Sequence, residues 1–285
     1  LQLGKISVGP PYFNFFFVPL SFALLVCLGV AASSRWQHTA SAAVIQHARW
    51  PAAFSVSLGM LLPIPLAVWF DSPGYSMAAA LTIIAVLWVV AMSLQDLRVK
   101  MNTAPLARLS ASYWGMLLAH SGIALCALGV GLSSVYDSQR DMRMEPGDSV
   151  LVAGYTFEFK TVSEIQETNY RATRALVSVT QQGRPVAELS PEKRYYQSGG
   201  QVMTEASIDG GLLRDLYVAL GEPLRGDSWG MRVQVKPFVR CIWLGGLLIG
   251  IGGLVAVADK RYRRRRKTLD TAVNSLTEPQ LEQSR

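Results

Sequence analysis

The chain has 285 residues, of which 50% are hydrophobic, and 27 Lys and Arg against 20 Asp and Glu give it a formal charge of +7. So apolar a composition excludes an ordinary soluble domain and calls for long bilayer-crossing runs. The excess of charge is gathered in a few loops and one tail, which excludes a nucleic-acid-binding face as its reason.

The chain opens Leu1-Gln2-Leu3, with no initiator Met, no signal peptide and no cleavage pattern. "LQLGKISVGPPYFN" reads as the middle of an extramembrane segment, and the expectation is the C-terminal part of a longer protein. Five apolar runs follow, at roughly 12–32, 52–70, 77–95, 112–133 and 239–258, each long enough to cross a hydrocarbon core ~30 Å thick. Before the first, Pro10 and Pro11 are expected to bar a helix until Tyr12 and Phe13 reach the membrane interface. The loop 33–51 holds Arg35, Arg49 and two histidines, His38 and His47, which read as ordinary loop residues. The second run carries Pro63 and Pro65, so a kink or break is expected near its outer end. The third, "MAAALTIIAVLWVVAMSLQDL", is uninterrupted.

Charge orients these runs. Arg98, Lys100 and Arg108 lie in the loop 96–111, and the tail begins "DKRYRRRRK", whereas "DSPGYS" at 71–76 has no Lys or Arg. If five spans alternate direction, the basic loops and the tail share one side, and the positive-inside rule makes that side the cytoplasm. The chain start and residues 134–238 then face outward. The basic tail also offers attraction to anionic lipid, with a topology anchor as the simpler role.

The fourth run, "YWGMLLAHSGIALCALGVGL", places His120 about 12 Å along a helix counted from Ser112, near the bilayer midplane. An ionisable residue at that depth is a functional hypothesis by default. Apolar surroundings favour the neutral imidazole, whose lone pair suits iron. Ala119, Gly122, Cys126 and Gly129 form a strip of small residues beside it that would leave room for a flat, bulky group. Three readings stay open at this point. The imidazole bonds a hydroxyl or carbonyl of a neighbouring helix, or ligates haem or a metal, or relays protons.

The segment 134–238 changes character. "SVLVAGYTFEFKTV" and "YRATRALVSVTQQGRPVAEL" alternate apolar and polar residues, the period of half-buried strands, with Gln182-Gly183 as a turn. "GDSWGMRVQVKPF" offers another strand, and "GLLRDLYVAL" fits either a strand or a short helix. A small antiparallel β domain is expected. It has no cysteine, because Cys27, Cys126 and Cys241 all lie in apolar runs, so it carries neither a disulfide framework nor a thiol redox pair. Glu164 and Glu167 read as a solvated face. In the fifth run Gly246 and Gly250 make a small-xxx-small step for close helix packing. The organisation expected is a four-helix transmembrane region at 1–133, a β-rich extracytoplasmic domain at 134–238, a last transmembrane helix at 239–258 and a basic cytoplasmic tail at 259–285. No Cys-x-x-Cys, phosphate-binding glycine loop or nucleophile elbow occurs, and no catalytic residue is assigned.

Seven stretches taken together are specific: "GKISVGPPYFN" at 4–14, "LLAHSGIAL" at 117–125, "PGDSVLVAGYTFEF" at 146–159, "PEKRYY" at 191–196, "MTEASI" at 203–208, "LLRDLYVALGEP" at 212–223 and "VKPFVR" at 235–240. In this order they resemble the CcmF family, the haem lyase subunit of the multi-component bacterial cytochrome c maturation pathway. The resemblance implies a whole protein roughly twice this length. The N-terminal part beyond this chain would carry a tryptophan-rich outward segment, two histidines for the arriving haem and one transmembrane histidine. The family's second transmembrane histidine falls on His120, which the resemblance makes an axial ligand to the iron of a resident haem b. It further implies a bacterial inner-membrane protein with residues 134–238 in the periplasm. Its implied partners are a haem chaperone, apocytochrome c, thiol-reducing and apocytochrome-binding maturation subunits and, for electrons, quinol. Haem is also the substrate, joined by thioether bonds to Cys-x-x-Cys-His. Cys241 departs from the family, which usually has a tryptophan there. Two rival readings are a quinol-oxidising b-type haem electron carrier without lyase activity, which would normally show two or more histidines within its spans, and a cofactor-free membrane scaffold.

Overall fold

A computed structural model describes residues 9–34, 41–103, 105–197 and 200–259. Arg35, His38 and nearly all of the basic tail lie outside these residues. Among these residues are the helices α1 (Pro10–Ser33), α2 (Ser41–Leu61), α3 (Pro63–Trp69), α4 (Met77–Met101), α5 (Ala111–Tyr136) and α6 (Val239–Val257), and ten strands. Five stretches are long and apolar enough to cross a membrane, α2 and α3 together making one of them. Helices are what such sequences must form, because a helix satisfies its own backbone polar groups where lipid offers no partner.

Three details depart from the sequence reading. Pro10 and Pro11 do not hold the helix off; they begin it, in the first turn, where backbone N–H groups have no intrahelical acceptor and proline's missing donor is harmless. The second helix begins at Ser41, eleven residues before the apolar run, so His47 is helical and not a loop residue, its Nδ1 3.0 Å from the Ala43 carbonyl. The segment 214–223, ambiguous by periodicity, is a strand. The expected break near Pro63 is present: α2 ends at Leu61, and α3 starts at Pro63.

The chain divides into two compact units. The first comprises residues 1–55, 85–125 and 244–285. Within it the Trp88 Nε1–H donates to the Val26 carbonyl at 3.0 Å, and Gly29 leaves the space that the indole fills. α5 and α6 run antiparallel with their backbones nearly touching. A Cβ added at Gly122 would stand 2.7 Å from the Gly245 oxygen, and one at Gly252 2.6 Å from the Gly115 oxygen. The Asp259 carboxylate accepts from the backbone N–H of Ser112 at 2.9 Å, tying the end of α6 to the first turn of α5, where a negative charge suits the helix dipole.

The second unit comprises residues 56–84 and 126–243. Its larger part is an antiparallel β-sandwich. One sheet has the order β1 (Ser138–Met144), β10 (Trp229–Pro237), β9 (Arg214–Pro223), β8 (Ser207–Gly210). The other runs β2 (Ser149–Val152), β3 (Tyr155–Gln166), β4 (Tyr170–Gln181), β6 (Glu192–Tyr196), β7 (Val202–Glu205), with β5 (Arg184–Leu189) also on β4. Every second residue points inward: Phe157 and Phe159, Val177 and Val179, Leu216, Val218 and Leu220, Met231, Val233 and Val235 form the core. Gln182 and Gly183 both have positive φ, 50° and 76°, the type I′ geometry that matches strand twist and places the β4–β5 turn where it was expected. Beside the sandwich, the Phe70 ring stacks on Tyr136 at 5.4 Å and meets Phe238 edge-on at 5.5 Å.

Candidate functional site

His120 lies in the first unit, on α5, beside a cleft of about 240 Å³ between α4 and α5. Val89, Leu94, Leu97, Trp114 and Leu117 make its walls apolar. Three polar side chains line it, Ser93 from α4 and His120 and Ser121 from α5. The Ser93 Oγ and the His120 Nδ1 are both buried, and neither has a hydrogen-bond partner among the described residues. Buried polar atoms are rarely left so, and two of them bordering one cavity make it the candidate site. His120 as a whole is only half-buried, so its ring reaches the open side of the cleft.

Below the cleft α4 and α5 are clasped. The Tyr113 hydroxyl donates to Asp96 at 2.7 Å, Lys100 pairs with the same carboxylate at 3.0 Å, and the Lys100 ammonium sits 3.7 Å from the centre of the Tyr113 ring. These contacts hold the two helices that form the walls.

The strip of small residues does not serve as expected. Gly122 packs on Gly245 and Ile249, and Gly129 on Ile242 and Phe238, so this strip is occupied by α6. Room beside the imidazole comes instead from the α4 side. On α6 the packing glycines are Gly245 and Gly252, whereas Gly246 and Gly250 have open space where a Cβ would be.

The other sequence candidates are not brought to His120. His47 is exposed on α2, His38 lies outside the described residues, and Glu164 and Glu167 are exposed on and just beyond β3. Among the described residues no three of His, Cys, Asp and Glu converge on a metal position. Ser93 was missed by sequence reasoning. Its only signal is one of two hydroxyls, with Thr82, in an otherwise apolar run, and its meaning appears once α4 and α5 are side by side. What remains is a single nitrogen donor in an apolar cleft, suited to a group that brings most of its own ligands.

Residues 135–237 match the family described as the CcmF C-terminal beta-sandwich. The chain is 45% identical over 281 residues to the cytochrome c-type biogenesis protein CcmF of Pseudomonas aeruginosa, covering 94% of this chain and 40% of that protein. It is 38% identical over 273 residues to the protein of the same name from Escherichia coli, covering 95% of this chain and 41% of that one. A solved structure, "Cytochrome c Heme Lyase CcmF", shares the fold with a TM-score of 0.67 at 20% identity over 88% of this chain and 41% of that chain. The chain thus spans about two fifths of the length of these curated relatives.

Proposed function

That the chain belongs to the CcmF family is the premise from which we propose that it forms part of a cytochrome c haem lyase in which His120 is an axial ligand of a resident b-type haem. The observation that carries this reading is the buried, unpartnered Nδ1 of His120 at an apolar cleft. A haem's macrocycle supplies four nitrogens and needs only axial ligands from the protein, which a lone imidazole matches and a bare metal ion would not. With the proton on Nδ1, the Nε2 lone pair is free to bind iron, and a partner for Nδ1–H fixes that tautomer. Ser93, on the same cleft, has a buried and unused hydroxyl. The cleft is smaller than the ~300–1,000 Å³ of a complete ligand pocket, so it forms one wall. By the family resemblance, the other wall and a second ligand would come from the part of the full-length protein beyond this chain.

When bound, the resident haem supplies one-electron transfer. This chain's residues would hold and orient it: His120 would bind it through its imidazole, and Val89, Leu94, Leu97, Trp114 and Leu117 would keep water away and lower the local dielectric. The lyase step joins substrate haem to an apocytochrome. Each thiol of Cys-x-x-Cys-His adds across a vinyl C=C, sulfur to one carbon and hydrogen to the other, so the addition itself consumes no electrons. Electrons serve to keep the substrate iron ferrous, with quinol as their source. The substrate haem comes from a haem chaperone, and thiol-reducing and apocytochrome-binding subunits present the apocytochrome. The β-sandwich lies in the periplasm of an inner-membrane protein, and having no cysteine it forms no mixed disulfides with the thiols it meets.

The test is His120→Ala in the full-length protein. The expected result is loss of the b-type haem absorbance and of cytochrome c maturation, with membrane insertion retained. His120→Gly with added imidazole is expected to recover part of both, and substitutions of His38 or His47 to change neither. An alanine variant with an unchanged spectrum and normal maturation would sink the assignment.

A further inference from the structure

The β8–β9 hairpin turns on two leucines. The Gly211 N–H donates to the Arg214 carbonyl at 2.8 Å, leaving Leu212 and Leu213 as a two-residue loop. Both are exposed, Leu212 at 71% and Leu213 at 52%. Two-residue hairpin loops are ordinarily filled by Gly, Asn or Asp, which suit the geometry and water. Paired leucines at such a tip gain nothing in water, and burying them requires a nonaqueous neighbour.

The hairpin's own bonds fix where the tip lies. The Phe238 N–H donates to the Leu213 carbonyl at 2.9 Å, and Pro237 is paired with Arg214. Phe238, held at a φ of 59°, is the corner at which β10 becomes α6. In the first turn of α6 the Arg240 Nη2 donates to the Gly210 carbonyl at 3.3 Å, across the base of the same turn. Trp243, 74% exposed, follows one turn along the helix, an amphipathic ring of the kind enriched at membrane boundaries. The tip therefore lies beside the first turn of the last span.

We propose that Leu212 and Leu213 form a membrane-inserting tip, seated in the headgroup–acyl boundary of the leaflet nearest the β-sandwich. Its occupant is lipid, and the exposed Arg240 beside it meets the phosphates of the headgroups. The tip gives the sandwich a third point of attachment beside its two covalent junctions with α5 and α6. This inference rests on α6 spanning a membrane and is independent of the haem assignment.

The experiment uses the full-length protein carrying Cys27→Ala, Cys126→Ala and Cys241→Ala, with an environment-sensitive fluorophore on Leu212→Cys or Leu213→Cys. It is reconstituted in vesicles of phosphatidylethanolamine and phosphatidylglycerol. The expected result is a blue-shifted emission that loses most of its intensity to lipids spin-labelled near the headgroup and little to aqueous iodide. A label on Arg184→Cys, in the polar β4–β5 turn, serves as the solvated reference. Iodide quenching equal to that reference overturns the proposal. So does shielding from both quenchers, which would mean that protein covers the tip. A second measurement needs no cysteine replacement: Leu212→p-benzoylphenylalanine, irradiated in the same vesicles, is expected to yield lipid adducts, and adducts with protein alone overturn the proposal.

Discussion

Leaving a buried imidazole nitrogen without a partner costs about 1–3 kcal/mol, and the same holds for a serine hydroxyl. Both orphans border one cleft, which is the reason to test Ser93 as a positioning residue for His120, acting through a direct bond or a bridging water. In the full-length protein Ser93→Ala is expected to weaken haem retention by roughly 10–100-fold and to shift the reduction potential of what remains, with Ser93→Thr restoring both. Unchanged retention and potential in the alanine variant would reduce Ser93 to packing. A second cluster makes a pH prediction. Burial alone would raise the Glu192 carboxyl, but hydrogen bonds from Arg194 at 2.8 Å and Arg174 at 2.6 Å outweigh it and hold the carboxyl below its ordinary value. A folded-state pKa below the unfolded one contributes stability that is present above the unfolded value, about 4.3, and lost as pH falls through and below it. Thermal unfolding of the sandwich is therefore expected at lower temperature in acid, and Glu192→Gln should flatten that dependence while costing about 1–3 kcal/mol at neutral pH. A profile as steep in the variant as in the parent would show that other carboxylates govern it.

At the scale of elements, the α5–α6 pair has the sharper test. Gly115, Gly122 and Gly129 recur every seven residues on α5 and face α6, whose Gly245 and Gly252 have the same spacing. An antiparallel pair in one register needs that repeat, because small residues let the backbones approach. Gly122→Leu or Gly252→Leu should lower membrane accumulation and melting temperature markedly, whereas Gly246→Ala and Gly250→Ala should leave both near the parent values. Equal effects from the two sets would show the register to be wrong. This pair also marks how far the sequence could be read. Run length and hydropathy reveal five spans, and period two reveals the strands, because both are properties of one segment facing one medium. "LGGLLIGIGGL" offers two glycine stripes, and only the partner helix decides which one packs. The strip beside His120 failed for the same reason: small residues serve a ligand or a helix equally well until the neighbour is known. His120 itself was legible, since an ionisable group in an apolar run stands out alone. Ser93 was not, because its significance is a relation between two helices.

For the whole molecule, topology is the property to measure first. Reporter fusions after Gln182 and after Asp259 are expected to signal from opposite sides of the membrane, the first outside and the second in the cytoplasm, from the Lys and Arg asymmetry of the loops. Signals from the same side would overturn the alternating five-span arrangement. The β-sandwich offers a different lesson about architecture. α5 ends at Tyr136 and β1 starts at Ser138, while β10 ends at Pro237 and α6 starts at Val239, so a single residue separates strand from helix at each junction. Ser138 is paired with Val235, which sets the two junctions side by side. In genetic terms the sandwich is a cassette bounded by one seam. Cut at that seam, residues 138–237 should be obtainable as a water-soluble domain with its ends already adjacent, and a short turn joining Tyr136 to Val239 should leave a bare helical hairpin in the membrane. A chain built this way can exchange its β module without redesigning the helical part that carries it.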